Sequence, residues 1–171
     1  MDISMHDEMF SIMKEEFEDL GMECALAPSE GEPQLGDTLR VLMAVTEQAS
    51  PAILDLMLIQ LWDGAYILQL YWTLTLSIGD GRAELEKALP VINFFCPIGS
   101  FGVFGEGELY HKYGLVIRED AEDGAALAKD ALNAVAAIYT VLDNYGAAAI
   151  SIADGSLTLQ QAQDEGILPV L

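Results

Sequence analysis

The chain reads as an α+β protein, a two-layer fold in which an antiparallel sheet of five to six strands carries its helices on one face. Three observations predict this. Apolar side chains alternate strictly from Tyr66 to Ile78, the signature of a strand with one buried face. Glycine turns, Asp63-Gly64 and Gly105-Glu106-Gly107, join neighbouring strand-like runs as hairpins. Long segments with single apolar stripes at helical spacing stand before, between and after those hairpins, and such stripes can all cover one side of a sheet. At 171 residues, 52% of them hydrophobic, the chain is long enough for one domain with a real core and is not globally disordered.

The first element is a helix over Ser4 to Leu20, where Met9, Ile12, Met13, Phe17 and Leu20 share a stripe and Gly21 offers a stop. A short strand over 22–27 (MECALA) follows, then a loop by composition at 28–37 (PSEGEPQLGD). Thr38 to Thr46 alternates as a strand, with Leu39, Val41, Met43 and Val45 on one side, and Ala49-Ser50-Pro51 turns the chain.

The most apolar stretch runs from Ile53 to Gly79. A membrane-spanning helix needs about 18 or more apolar residues with few charges. Asp55 and Asp63 interrupt this one, and its period is two. It reads as a hairpin, with Tyr66, Leu68, Leu70, Trp72, Leu74, Leu76 and Ile78 facing inward. A helix with Leu85, Ala88, Leu89 and Ile92 on one face comes next, kinked or ended early by Pro90. Phe101–Phe104 and Leu109–Ile117 form the second hairpin. The acidic run 119–123 leads into a long alanine-rich helix striped by Leu127, Ala131, Val135, Ile138, Leu142 and Tyr145. Thr158 with Gln161 suggests a capping box for a last short helix, stopped by Gly166. The order is α-β-β-β-β-α-β-β-α with a short extra helix, expected as a single domain over 1–171: a core over 1–150 and a C-terminal extension over 151–171.

If every helix covers one side of the sheet, the other side carries Leu42, Met57, Ile59, Leu61, Ile67 and Tyr71. A contiguous apolar patch usually marks an interface, so a homodimer contact or a peptide-binding face is expected there. Trp72 is a further candidate, although its position in the alternation assigns it to the core.

A net charge of −21, from 28 acidic against 7 basic residues, repels phosphate backbones and anionic lipid. Neither nucleic acid nor a membrane is an expected partner; a basic or amphipathic protein segment is. The N-terminus MDISMHDEMF has no basic residue before Lys14, the reverse of a signal peptide, and a cytoplasmic protein is expected. Cys24 and Cys96 read as buried free thiols of a reducing compartment.

The usual chemical signatures are absent. With His6 and His111 the only histidines, and no spacing partner for either cysteine, no metal site is expected. Cys96 served by His111 as a nucleophile loses to an inert core thiol, given Phe94-Phe95 before it and a proline after. GSFGVFGEG lacks both the dinucleotide spacing and a Walker lysine and reads as strand-turn-strand. A calcium loop starting at Glu119 fails at Ala121 and Asp130. Ser11 to Lys14 matches S-x-x-K without its companion motifs. No catalytic residue and no cofactor is assigned, and the expectation is not an enzyme. The alternative is a small-molecule-binding domain, or minor enzyme, with a carboxylate in a pocket between sheet and helices.

The segment LPVINFFCPIGSFGVFGEGELYHKYGLVI, residues 89–117, carries a resemblance. A helix ending near Asn93, a glycine-and-phenylalanine strand, a second strand and a long C-terminal helix resemble the type III secretion chaperone-like fold. Within it they are similar to the YbjN-type family of bacterial sensory transduction regulators. The resemblance covers roughly residues 1–150. It implies a small acidic dimer that acts by binding extended segments of client proteins, with no catalytic residues.

Overall fold

The computed structural model describes residues 5–28, 35–46, 50–62, 64–118 and 123–170. The elements follow the expected order: α1 Met5–Asp19, β1 Glu23–Ala27, β2 Leu35–Val45, β3 Ser50–Trp62, β4 Ala65–Thr75, α2 Arg82–Phe95, β5 Ser100–Phe104, β6 Glu108–Arg118 and α3 Gly124–Val141. A π-helical turn, Leu142–Gly146, joins α3 to α4 (Ala147–Ala153), and α5 spans Leu159–Asp164. The strands form one antiparallel sheet in the order β1-β2-β3-β4-β6-β5. Because α2 carries the chain past one position, β6 rather than β5 lies beside β4, and β5 becomes an edge.

The residues group into two compact units. The first comprises Met1–Met43, Ile53–Tyr71 and Tyr113–Ala136, and the second Ala44–Ala52, Trp72–Lys112 and Ala137–Leu171. In the first, Met9, Met13 and Phe17 of α1 are buried, as are Leu39 and Val41 of β2, Leu54 and Leu56 of β3, and Leu68 and Leu70 of β4. Helix α1 ends as its sequence suggests: Gly21, at φ +79°, donates to the Glu18 carbonyl and Met22 to that of Phe17, the paired bonds of a Schellman stop. The register of β1 on β2 pairs Glu23 with Leu42 and Ala27 with Thr38.

In the second unit Trp72, Leu85, Ile92, Leu109 and Ile152 are fully buried, and α2 packs against α4, β5 and α5. The capping box on α5 is present in full: Thr158 Oγ1 accepts from the Gln161 N–H, and Gln161 Oε1 accepts from the Thr158 N–H.

Several boundaries differ from the sequence reading. Strand β2 begins at Leu35, so the end of the expected loop is strand, while 29–34 lies outside the described residues. Ser50 and Pro51 open β3 instead of turning the chain, with Pro51 exposed at the strand's start, where a missing N–H is tolerated; residues 47–49 and Asp63 also lie outside the described residues. Strand β4 stops at Thr75, because the Thr75 hydroxyl accepts from the Ser77 N–H and donates to its carbonyl, which replaces ladder bonding. Leu76 is therefore exposed, not core.

Helix α2 continues through Pro90 to Phe95. The carbonyl that loses its donor belongs to Glu86, which is exposed and can be solvated. The acidic run 119–122 lies outside the described residues, but Asp123 caps α3 by accepting from the Ala126 N–H at 2.7 Å. By length and composition the helical run Gly124–Ala153 is apolar enough to cross a membrane, and 39% of the 18-residue window within it that meets this test is buried within the protein.

Where α2 starts, a Cβ on Gly81 would overlap the Ile152 carbonyl oxygen of α4. Gly81→Ala must force this junction apart, and overpacking of this kind costs about 1–3 kcal/mol. Urea unfolding should show that loss, and an unchanged midpoint would mean that the junction yields freely.

Candidate interaction face

Successive side chains of a strand point to opposite sides. In β3, Ala52, Leu54, Leu56 and Leu58 are buried, whereas Ile53, Asp55, Met57 and Ile59 are half-buried. In β2, Leu39, Val41 and Met43 are buried while Arg40 and Leu42 are exposed. Helix α1 stands on the buried side, since its His6 ring meets Tyr66 edge-on at 4.4 Å between centroids, and Tyr66 has the parity of Leu68 and Leu70.

The outer side of the first unit thus carries all six of Leu42, Met57, Ile59, Leu61, Ile67 and Tyr71. None of them is buried, and Leu42 and Leu61 are 46% and 42% exposed. Trp72 does not join them. Its even position places it with Leu68 and Leu70, and it is fully buried.

Two features of this face escaped the sequence reading. Val116 of β6 has outward parity and is 63% exposed. The alternation of the second hairpin carried that signal, because Ile117 is buried beside it. Arg40 grips Asp55 with two arms, Nε to Oδ1 at 2.7 Å and Nη2 to Oδ2 at 2.8 Å. The Asp55 side chain is only 13% exposed against 55% for Arg40. Such a pair, with its cation in water, contributes at most about 1 kcal/mol, so it is a polar mark in an apolar face more than a brace. Sequence separation hid it, since 15 residues divide the partners.

The two edge strands differ in their treatment. On β5, the Asn93 side chain clamps Phe101 at both main-chain groups, donating Nδ2–H to its carbonyl at 2.9 Å and accepting its N–H at 2.7 Å. A side-chain amide there takes the place of a neighbouring strand, which blunts the edge. Four of the five residues of β1 are exposed. Its border is acidic, from Glu23 on the strand and from Glu15, Glu16, Glu18 and Asp19 of α1, all exposed. Burial first, and then Glu18, push the Cys24 thiol above its ordinary pKa.

The second unit contains the Cys96–His111 pair that the sequence brought up. The Cys96 thiol donates to the Ile98 carbonyl at 3.1 Å, and His111 Nε2 lies 3.0 Å from the same oxygen. A carbonyl only accepts, so Nε2 carries the ring proton and Nδ1 is bare. That Nδ1 is buried without a hydrogen-bond partner.

Both groups are therefore in their protonated-thiol and neutral-imidazole forms, and burial pushes the Cys96 pKa up and that of His111 down. This is the opposite of an activated thiolate–imidazolium couple. Contrary to the expectation of buried thiols, Cys96 and Cys24 are free but only half-buried, Cys96 at the C-cap of α2 and Cys24 on an edge strand.

The glycines of GSFGVFGEG acquire a reason here. A Cβ on Gly99 would overlap the His111 ring, and one on Gly102 the Tyr110 ring across the hairpin. Phe101 closes on His111 edge-on at 4.8 Å.

Among the described residues, no three His, Cys, Asp or Glu side chains converge as metal ligands would. No family model matches the chain, and no curated protein matches it.

Because His111 is neutral in the fold and its pKa is lowered, the unfolded chain takes up a proton at this ring first as pH falls below about 6.5. The stability tied to neutral His111 is fully present above that value and is lost as pH drops through the folded-state pKa. His111→Gln keeps an N–H for Ile98 and removes the titration. Urea unfolding from pH 7.5 to 5 should show the native chain losing stability relative to this variant. Parallel curves would contradict the assignment.

Proposed function

We propose that the protein is a non-enzymatic binding module, chaperone- or adaptor-like, that works as a small acidic dimer. It takes up a basic or amphipathic client segment on the outer face of its first unit and along the exposed edge of β1. The observation that carries this reading is the outer face: Leu42, Met57, Ile59, Leu61, Ile67, Tyr71 and Val116 all lie on the side away from α1, and none is buried. Apolar surface left in water costs about 25 cal/mol per Å², and a patch of this kind favours a partner.

The partner's chemistry follows from charge. The chain carries −21 and the β1 border is acidic, so an acidic segment is repelled and a basic one is steered in. An extended client could add a strand to β1 and place alternate side chains on the outer face. The likeness of element order to the type III secretion chaperone-like fold and its YbjN-type proteins supports a binding role. Dimerisation is supported by that resemblance and by the apolar face.

A lysine-rich amphipathic peptide, titrated with fluorescence anisotropy as the readout, tests the reading, with light scattering for mass. Leu42→Asp with Val116→Asp should weaken peptide binding at least about tenfold without moving the unfolding midpoint. Unchanged binding sinks the proposal. If the pair of substitutions instead splits a dimer and leaves peptide binding intact, the face belongs to a second copy and the client reading fails.

A further inference from the structure

A groove of about 850 Å³ lies in the second unit, between the π-helical turn with α4 and the segment after α5. Its size is that of small-molecule sites, roughly 300–1,000 Å³. It differs from the expected sheet–helix pocket, because its walls are helix and C-terminal segment.

The π turn shapes one wall. Ala147 donates to the Leu142 carbonyl five residues back, and the Asn144 amide donates to the Thr140 carbonyl at 2.8 Å. Turns of this kind widen a helix locally and are frequent at functional sites. The opposite wall is fixed by Ile167 and Leu168, whose N–H groups both reach the Ala162 carbonyl, and by Gln163 Nε2, which donates to Pro169 at 3.1 Å.

The charge lining this groove is of one sign, from Asp143. Among the described residues, no lysine, arginine or histidine lines it. Each of its two side-chain amides, Asn144 and Gln163, gives one N–H to a main-chain carbonyl and keeps its oxygen to offer, and Tyr145 and Ser151 add hydroxyls that can accept as well as donate. Asp143 is half-buried, and its carboxylate has no cation or hydrogen-bond donor among the described residues. Ala147, Ala148, Leu168 and Val170 supply an apolar side. A site rich in acceptors, holding one carboxylate beside hydrocarbon, suits a ligand that is a donor at one end and alkyl at the other.

We infer that this groove binds an alkylammonium group, its charge on Asp143 with the Asn144 and Gln163 oxygens and its hydrocarbon along Leu168 and Val170. The source is either a free amine or a lysine side chain, which share this chemistry. The inference is independent of the client reading, since the outer face of the first unit takes no part in it.

The probes are n-hexylammonium, 1-hexanol of the same length without charge, and N-acetyl-lysine methylamide, followed by amide chemical shifts of the full chain. Saturable shifts at 143–151 and 163–170 are expected with the ammonium and not with the alcohol. Asp143→Asn should weaken binding by about tenfold or more, the loss of a charge-assisted bond. Asp130→Asn removes the same charge from an exposed position of α3 and should leave binding unchanged, which separates the groove from the general field of an acidic chain. The tighter of the two ammonium probes identifies the source. Equal binding of alcohol and amine, equal losses in Asp143→Asn and Asp130→Asn, or shifts lying elsewhere would each overturn the inference.

Discussion

A strand cannot send consecutive side chains to the same side, and this one constraint organises the first unit. Once Leu39, Val41, Leu54, Leu56, Leu68 and Leu70 are committed to the core under α1, their neighbours have no choice but to face away. In many antiparallel sheets those neighbours are polar. Here β3 is apolar on both sides, so burying one side necessarily presents Met57, Ile59 and Leu61 on the other. The open face is a consequence of the same register that makes the core. No substitution can close it by shifting register without turning the core outward.

The second unit relies on a different device, polar atoms placed at a few points where ladders end. Asn93 stands in for a missing strand beside Phe101, and the Ile98 carbonyl gathers Cys96 and His111. Buried polar groups are costly without partners. His111 Nδ1 is unpartnered beside Phe101 and Gly99, and protonating it there would put a charge on a buried ring. The arrangement holds a thiol and an imidazole close together and keeps both uncharged, so proximity there works for packing and against nucleophilic chemistry.

Much of this was legible in the sequence because it depends on local periods. The alternation from Tyr66 to Leu74, the Gly21 stop and the Thr158–Gln161 box are short-range patterns, and the structure keeps all of them. The placement of all six outer-face residues followed from parity alone. What was not legible depends on partners distant in sequence or on one extra residue. The Arg40–Asp55 pair joins different strands. The role of Asn93 needs β5 folded back onto α2. The π turn inserts one residue into a stripe that otherwise continues at α spacing, and nothing short of the packed helix reveals it. Pro90 does not end α2 early, and the carbonyl it deprives of a donor, that of Glu86, lies at an exposed residue, which is a property of the surface and not of the proline.

The account depends most on the two-sidedness of the first unit's sheet, and Val41 and Leu42 report it directly. They are adjacent in β2, the first wholly buried and the second close to half exposed. Single cysteines placed by Val41→Cys or Leu42→Cys in a Cys24→Ser, Cys96→Ser background can be alkylated in dilute native protein and in urea. The account predicts that the thiol at 42 reacts within the native state and that the one at 41 reacts only once the chain unfolds. Equal native rates at the two positions, or faster reaction at 41, would contradict it.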